Sequence, residues 1–198
     1  MVQSIQSKKQ INRLLFAVVV LVGTFFQFNV FGQVGTPTYL NTTGTTPLNT
    51  FPLNSTTSNK IQWIYAPGAF TTLGGGGGTP APGGNLITKV YIKFGTTINA
   101  TNLYSDFTIS LGQNVGAINN YPDVPATTGV SFNTGLTQCF YQASGFAFTG
   151  IVANAWYGIT LQTPFAYDPS LALVMEVKVS SGTGNSVVNL ATTGISQR

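Results

Sequence analysis

The acidic side chains are the only groups in this chain that could support familiar acid–base catalysis. The sequence contains no histidine, and Cys139 is its single cysteine. Without histidine the commonest general base is missing, so neither a Ser-His-Asp nor a Cys-His arrangement can form. Zinc and copper sites of histidine and cysteine are excluded for the same reason. A carboxylate pair remains, which a glycosidase places about 5 to 9.5 Å apart.

The acidic residues fit turns and strands better than they fit a catalytic pair. Asp123 in YPDVP and Asp168 in AYDPS lie beside prolines in turn-forming contexts. Glu176 alternates with apolar residues, which predicts a position on the solvent face of a strand near Lys178. We therefore predict no enzyme, no catalytic residue, no metal site and no cofactor. Two alternatives stay open: an enzyme using Asp168 or Asp123 with Glu176, and a calcium site on either aspartate with backbone carbonyls.

Aromatic side chains are the remaining candidates for recognition. Trp63 alternates with apolar residues and is expected in the core. Tyr104 and Tyr121 occur in polar loop contexts, and Trp156 begins a strand and faces opposite to Tyr157. These three aromatic residues are a candidate glycan platform, because flat sugar faces stack on exposed rings. The alternative is that each ring fills an end of the core.

The charge distribution argues against a nucleic-acid partner. Only 6% of residues are charged, and the net charge is +4. Lys8, Lys9 and Arg13 supply most of that excess, and the remainder of the chain is nearly neutral. A phosphate backbone requires a basic patch, which this sequence lacks.

The first 32 residues have the layout of a secretory signal peptide. A basic stretch, SKKQINR, precedes the apolar run LLFAVVVLVGTFFQFNVFG. Val30 and Gly32 suit the positions that a signal peptidase reads, so cleavage is expected near Gly32–Gln33. The expected location is the medium or the cell surface, with membrane contact only during export. An uncleaved membrane anchor is the alternative.

Residues 33–198 are expected to form one domain of short strands. Apolar residues alternate with polar ones in five segments, as a sheet with one solvated face requires. Weaker strands are expected around 136–141, 145–149 and 186–190, and a long, mobile loop at the Gly-rich residues 74–84. Cys139 is expected to be a small buried side chain. These patterns predict an all-β, jelly-roll-like antiparallel sandwich of about eight or nine strands. The five segments are NKIQWIY, LITKVYIKF, FTISLG, WYGITL and LALVMEVKV.

The same segments, in this order, resemble a known module. NTFPLNSTTSNKIQWIYAPGAF, ITKVYIKFG, FTISLGQ and WYGITLQTPFAYDPSLALVMEV resemble a β-sandwich module of secreted and surface proteins from Bacteroidetes-type bacteria. The resemblance covers roughly residues 36 to 192 and contains no catalytic motif. It implies export and a place at the cell surface or in the medium. Such modules often occur in chains with a type IX secretion sorting domain.

Together these patterns favour a non-catalytic structural or adhesive module. Its expected partners are surface glycans or other surface proteins. The alternative is a carbohydrate-binding module that uses Tyr104, Tyr121 and Trp156.

We expect secreted material to begin at or near Gln33, because a basic stretch and an apolar run precede Gly32. N-terminal sequencing of the exported protein tests this. Recovery of chains that retain Met1 from the membrane fraction would establish the anchor instead.

Overall fold

The structure, a computed structural model, describes residues 33–42, 48–49, 52–54, 57–114, 132–185, 187–188 and 195–197. All regular structure among them is β-strand, as the sequence predicts. Accordingly, this part of the chain has no helix long and apolar enough to cross a membrane. The strands are β1 (Gln33–Val34), β2 (Leu48–Asn49), β3 (Asn59–Tyr65), β4 (Leu86–Lys93), β5 (Phe107–Asn114), β6 (Thr137–Gln142), β7 (Trp156–Ala166), β8 (Ala172–Val179), β9 (Val187–Val188) and β10 (Ile195–Gln197).

The strands form antiparallel sheets of unequal width. The larger sheet has the order β10-β3-β8-β5-β6, the smaller one the order β1-β7-β4, and β2 pairs with β9. Strand β8 is central to the larger sheet because β3 and β5 pair with its two edges. Its register places Val177 between Ile61 and Ile109. Every second side chain of a strand faces the same side of the sheet, so residues paired in this way form continuous apolar rows across three strands.

The five-stranded sheet and the three-stranded sheet contribute to one hydrophobic core. Apolar residues of β3, β5 and β8 belong to the same buried cluster as those of β4 and β7. The sequence correctly predicts burial of Val90, Ile92, Ile109, Ile159 and Leu173, and Trp63 and Cys139 are buried as expected. Met175 was expected to be buried as well, but it is only partly buried.

Aromatic rings fill one end of this core. Phe148 packs edge-to-face against five other rings with centroid distances of 4.9 to 5.5 Å. Phe146 stacks on Phe107 at 4.1 Å. The prediction of a strand over residues 145–149 is wrong: this segment has one isolated bridge, between Phe146 and Tyr104. The segment instead places two apolar rings in the core, whose burial outweighs strand pairing.

The opposite face of the larger sheet is covered in part by the segment before β6. Ile64 and Val174 are paired neighbours on that face, and Leu136 packs against them. Gly112 pairs with Val174 and makes room for this contact. A Cβ at Gly112 would lie 2.4 Å from Cδ2 of Leu136. A larger residue at 112 would therefore displace Leu136 from the sheet.

The Gly-rich segment contains a hydrogen-bonded hairpin between Thr71 and Pro80, which the composition did not indicate. Thr71 pairs with both Leu40 and Pro80, and Gly77 donates its N–H to the carbonyl of Gly74 at 3.1 Å. Several of the glycines have positive φ, including Gly74, Gly76 and Gly78. Only glycine adopts such angles without steric cost, so this composition permits a very tight turn.

Side-chain amides complete the backbone pairing where strand ladders end. In four places one amide accepts a hydrogen bond from the N–H of a distant residue and donates one to the carbonyl of that same residue. The distances lie between 2.6 and 3.2 Å. The pairs are Gln62 with Asn133, Gln113 with Asp168, Gln162 with Tyr141, and Asn185 with Asn99.

The amide pairs differ in burial, which allows a matched test. Gln62 is fully buried and also donates to Oε2 of Glu176 at 2.7 Å, whereas Gln162 is exposed. We expect Gln62→Leu to lower the free energy of unfolding by about 1 to 3 kcal/mol for each buried group left unpaired. Gln162→Leu should cost below about 1 kcal/mol, because water replaces the lost bonds.

Urea unfolding of the two variants measures both values. Equal losses of unfolding free energy in the two variants would show that burial does not determine how much these amide pairs stabilise the fold.

Candidate functional site

A cleft of about 460 Å³ follows the length of β4. Every residue from Asn85 to Tyr91 lines it. Successive side chains of a strand point to opposite faces, so a run of seven contributing residues means that the edge of β4 forms the wall. We call this feature the edge cleft.

The segment Pro37–Asn41 lines the edge cleft together with β4. Leu40 exchanges backbone hydrogen bonds with Thr71 of the Gly-rich hairpin, at 2.9 and 3.1 Å. The N–H of Gly75 adds a bond to the carbonyl of Asn41 at 2.9 Å. The hairpin therefore fixes the position of this wall.

The edge cleft exists because the two sheets differ in width. In the described residues β4 pairs with β7 alone, so it is an outer strand of the smaller sheet. Residues on the core-facing side of the larger sheet, including Leu111, Leu173 and Met175, contribute to the cleft. This position explains why Met175 is only partly buried.

Aromatic rings line both ends of the edge cleft: Tyr167 with Phe70 at one end, and Tyr91 with Trp156 at the other. Tyr91 and Trp156 line it and are partly buried. Gly158 pairs with Tyr91, and a Cβ at Gly158 would lie 2.7 Å from the Tyr91 ring and 2.9 Å from Cδ of Lys89. The glycine thus allows both side chains to lie close against β7. Nζ of Lys93 lies 5.6 Å from the centroid of the Trp156 ring, a cation–π distance.

Of the three aromatic residues predicted for a glycan platform, the structure describes Tyr104 and Trp156. Tyr104 is fully buried, donates its hydroxyl to the carbonyl of Leu53 at 2.8 Å and accepts from Nδ2 of Asn185 at 2.7 Å. Burial raises its pKa. The ring has no exposed face for a sugar, so the core alternative holds for Tyr104. Trp156 lines the edge cleft and Tyr104 does not. Tyr121 lies outside the described residues.

Each described carboxylate has a structural partner. Asp168 accepts from the N–H and the hydroxyl of Ser170 at 2.8 and 2.6 Å, which confirms its predicted turn role. These bonds lower its pKa. Glu176 was predicted on a solvent face, but its side chain is only 15% exposed, because Gln62 bonds it and Lys60 lies 3.6 Å away. Asp123 lies outside the described residues.

Asp106 has a left-handed backbone, with φ of 49°, and accepts two hydroxyl hydrogen bonds. They come from Ser180 at 2.8 Å and from Tyr141 at 2.9 Å. The bond from Ser180 is the main cause of its lowered pKa. Among the described residues, no three His, Cys, Asp or Glu side chains form a group that could hold a metal ion.

The sequence reasoning missed Tyr39, Lys89 and Tyr91 as cleft residues. The period-two alternation of LITKVYIKF places Lys89 and Tyr91 on the face of β4 opposite to Val90 and Ile92. No sequence signal indicated that this strand borders a cleft, because that depends on which strands neighbour it. Tyr39 lies in a segment whose position depends on pairing with the Gly-rich hairpin.

No protein-family model matches the chain, no curated protein matches its sequence, and no solved structure matches its fold. Its site must therefore be interpreted from its own residues.

The lowered pKa of Asp106 predicts a pH-dependent stability. A carboxyl group whose folded-state pKa is below its unfolded value stabilises the fold above the unfolded pKa, and this contribution is lost as the pH falls through the folded pKa. We expect Asp106→Asn to lower the urea midpoint at about pH 7, with the difference from wild type shrinking as the pH falls through the lowered folded-state pKa. Asparagine tolerates the left-handed backbone at this position.

Ser180→Ala is the matched control, because it removes the main cause of the shift and retains the carboxylate. It should reduce the pH-dependent part of the stability. A difference between Asp106→Asn and wild type that stays constant from about pH 7 to about pH 2 would contradict the assignment.

Proposed function

We propose that this chain is an exported, non-catalytic adhesive module that holds its ligand in the edge cleft. The cleft is the observation that carries the proposal. Its volume, about 460 Å³, lies within the range of about 300 to 1,000 Å³ that is typical of ligand sites. Its lining combines aromatic and aliphatic side chains with a few polar groups such as Asn41, Asn85 and Thr88. That combination is typical of recognition sites.

The arrangement of the carboxylates supports binding rather than catalysis. Asp106, Asp168 and Glu176 bond to different partners, and none of them lines the edge cleft. A catalytic pair must face one substrate across a cleft. These side chains instead fix turns and neighbouring strands.

Export and the complete fold are parts of the same proposal. The basic stretch and the apolar run within residues 1–32 support cleavage and release to the surface or the medium. The shared core of two antiparallel sheets supports a jelly-roll-like sandwich of eight or nine strands for residues 33–198. The similarity to surface modules of Bacteroidetes-type bacteria suggests the same location.

A carbohydrate-binding module is the second candidate. The position of Trp156 and Tyr91 at the edge cleft favours it, because partly exposed rings provide flat apolar faces for sugars. This candidate differs from the first in its ligand and uses the same cleft.

Leu86 provides a test of adhesion, because it lines the edge cleft and is 58% exposed. Cells that export the full chain should be retained on surfaces coated with mucin, cellulose or collagen better than cells that lack it. Leu86→Asp should abolish most of the added retention, since it places a charge in the cleft without disturbing the core.

Leu103→Asp is the matched control, because Leu103 is 60% exposed and does not line the cleft. It should retain wild-type adhesion. The proposal is wrong if the exported chain adds no retention on any coating, or if both variants lose it equally.

A further inference from the structure

Lys89 is a cation in the edge cleft and forms no salt bridge with any residue that the structure describes. It lines the cleft and is partly buried. Within the described residues, the only salt bridge joins Lys60 to Glu176 at 3.6 Å. Lys93 lies over the Trp156 ring, and Lys178 contributes to the lowered pKa of Asp106. Lys89 thus carries a charge in a cleft where the described residues place no counter-ion.

The charge in the edge cleft is unevenly distributed along β4. Lys89 pairs with Thr160 and Lys93 pairs with Trp156, so both lysines lie towards the Trp156 end of the cleft. Tyr167 lines the other end, and the following residue, Asp168, accepts hydrogen bonds from Ser170 with its carboxylate. Because no acidic residue lines the cleft within the described part of the chain, the Trp156 end favours an anionic group.

The geometry around Lys89 suits a flat ligand that carries its charge at one side. The Tyr91 ring and the Lys89 side chain both lie close above Gly158, and Trp156 is two positions away on the same face of β7. A pyranose ring has apolar C–H faces and a polar rim. A face of that ring can contact Tyr91 or Trp156 while a carboxylate on the rim reaches the ammonium of Lys89.

An added peptide strand is the competing occupant of a cleft along an edge strand. One feature of strand β4 opposes such pairing: Lys89 and Lys93 lie on the strand itself. Lysines on an edge strand are a device that prevents strand addition. This feature favours a saccharide over a peptide.

We propose that the edge cleft binds an acidic saccharide, with its carboxylate at Lys89 and a sugar face against Tyr91 or Trp156. This inference rests on the proposed function, because it names the ligand class of the same cleft. A carboxylate–ammonium contact of this kind is a charge-assisted hydrogen bond, which is stronger than a neutral one.

Isothermal titration with uronic-acid oligosaccharides tests the proposal. The probes are oligomers of galacturonate, glucuronate-containing hyaluronan and alginate, each beside its methyl-esterified, uncharged form. We expect at least one acidic oligomer to bind, and its methyl ester to bind at least roughly tenfold more weakly. Lys89→Met should weaken binding of the acidic form to a similar extent and leave the ester unaffected. Binding should also weaken as salt is added.

Lys178→Met is the control, because it removes the same charge from an exposed position on β8 outside the cleft. It should bind like wild type. Equal binding of acid and ester, unchanged binding by Lys89→Met, or binding of polyglutamate in place of every saccharide would overturn the proposal. If no uronate binds while adhesion remains sensitive to Leu86→Asp, the acidic-saccharide inference is wrong and the adhesive function stands.

Discussion

Pairing of backbone groups by side-chain amides holds the connecting segments of this fold in place. Buried N–H and C=O groups need partners, and a chain with 6% charged residues has few ionic groups to supply them. An amide matches the backbone because it presents one acceptor and two donors on a short planar group. Gln62 holds the segment before β6 against the larger sheet, and Gln162 joins β6 to β7 across the two sheets. Gln113 fixes the turn between β7 and β8.

The edge cleft follows from this packing. The larger sheet has five strands and the smaller one has three. Some apolar residues on the core-facing side of the larger sheet are therefore not covered by β4. The Gly-rich hairpin holds the segment Pro37–Asn41 beside that gap, so the gap becomes a walled cleft. The strongly positive φ angles of Gly74 and Gly76 allow the hairpin to turn tightly enough to do this.

The few acidic and basic side chains of the described residues have different roles. Asp106, Asp168 and Glu176 are engaged by hydroxyl, backbone or amide donors, which leaves them structural. Lys89 lines the edge cleft, and no described acidic residue lines the cleft beside it. In a surface with so little charge, one unmatched ammonium has a large influence on which ligands enter, because few other ions compete with it.

The sequence by itself determined the strand class and much of the core. Period-two alternation predicted β3, β4, β5, β7 and β8, because the pleat sends successive side chains to opposite faces whatever the neighbours are. The absence of histidine limited the available chemistry in the same direct way. Tertiary structure alone decided which of the candidate aromatic residues was buried. Tyr104 and Trp156 were both candidates for an exposed platform, but Tyr104 packs among core rings and accepts a hydrogen bond from Asn185, while Trp156 borders a cleft. That outcome depends on strands and loops distant in sequence, which no local pattern encodes.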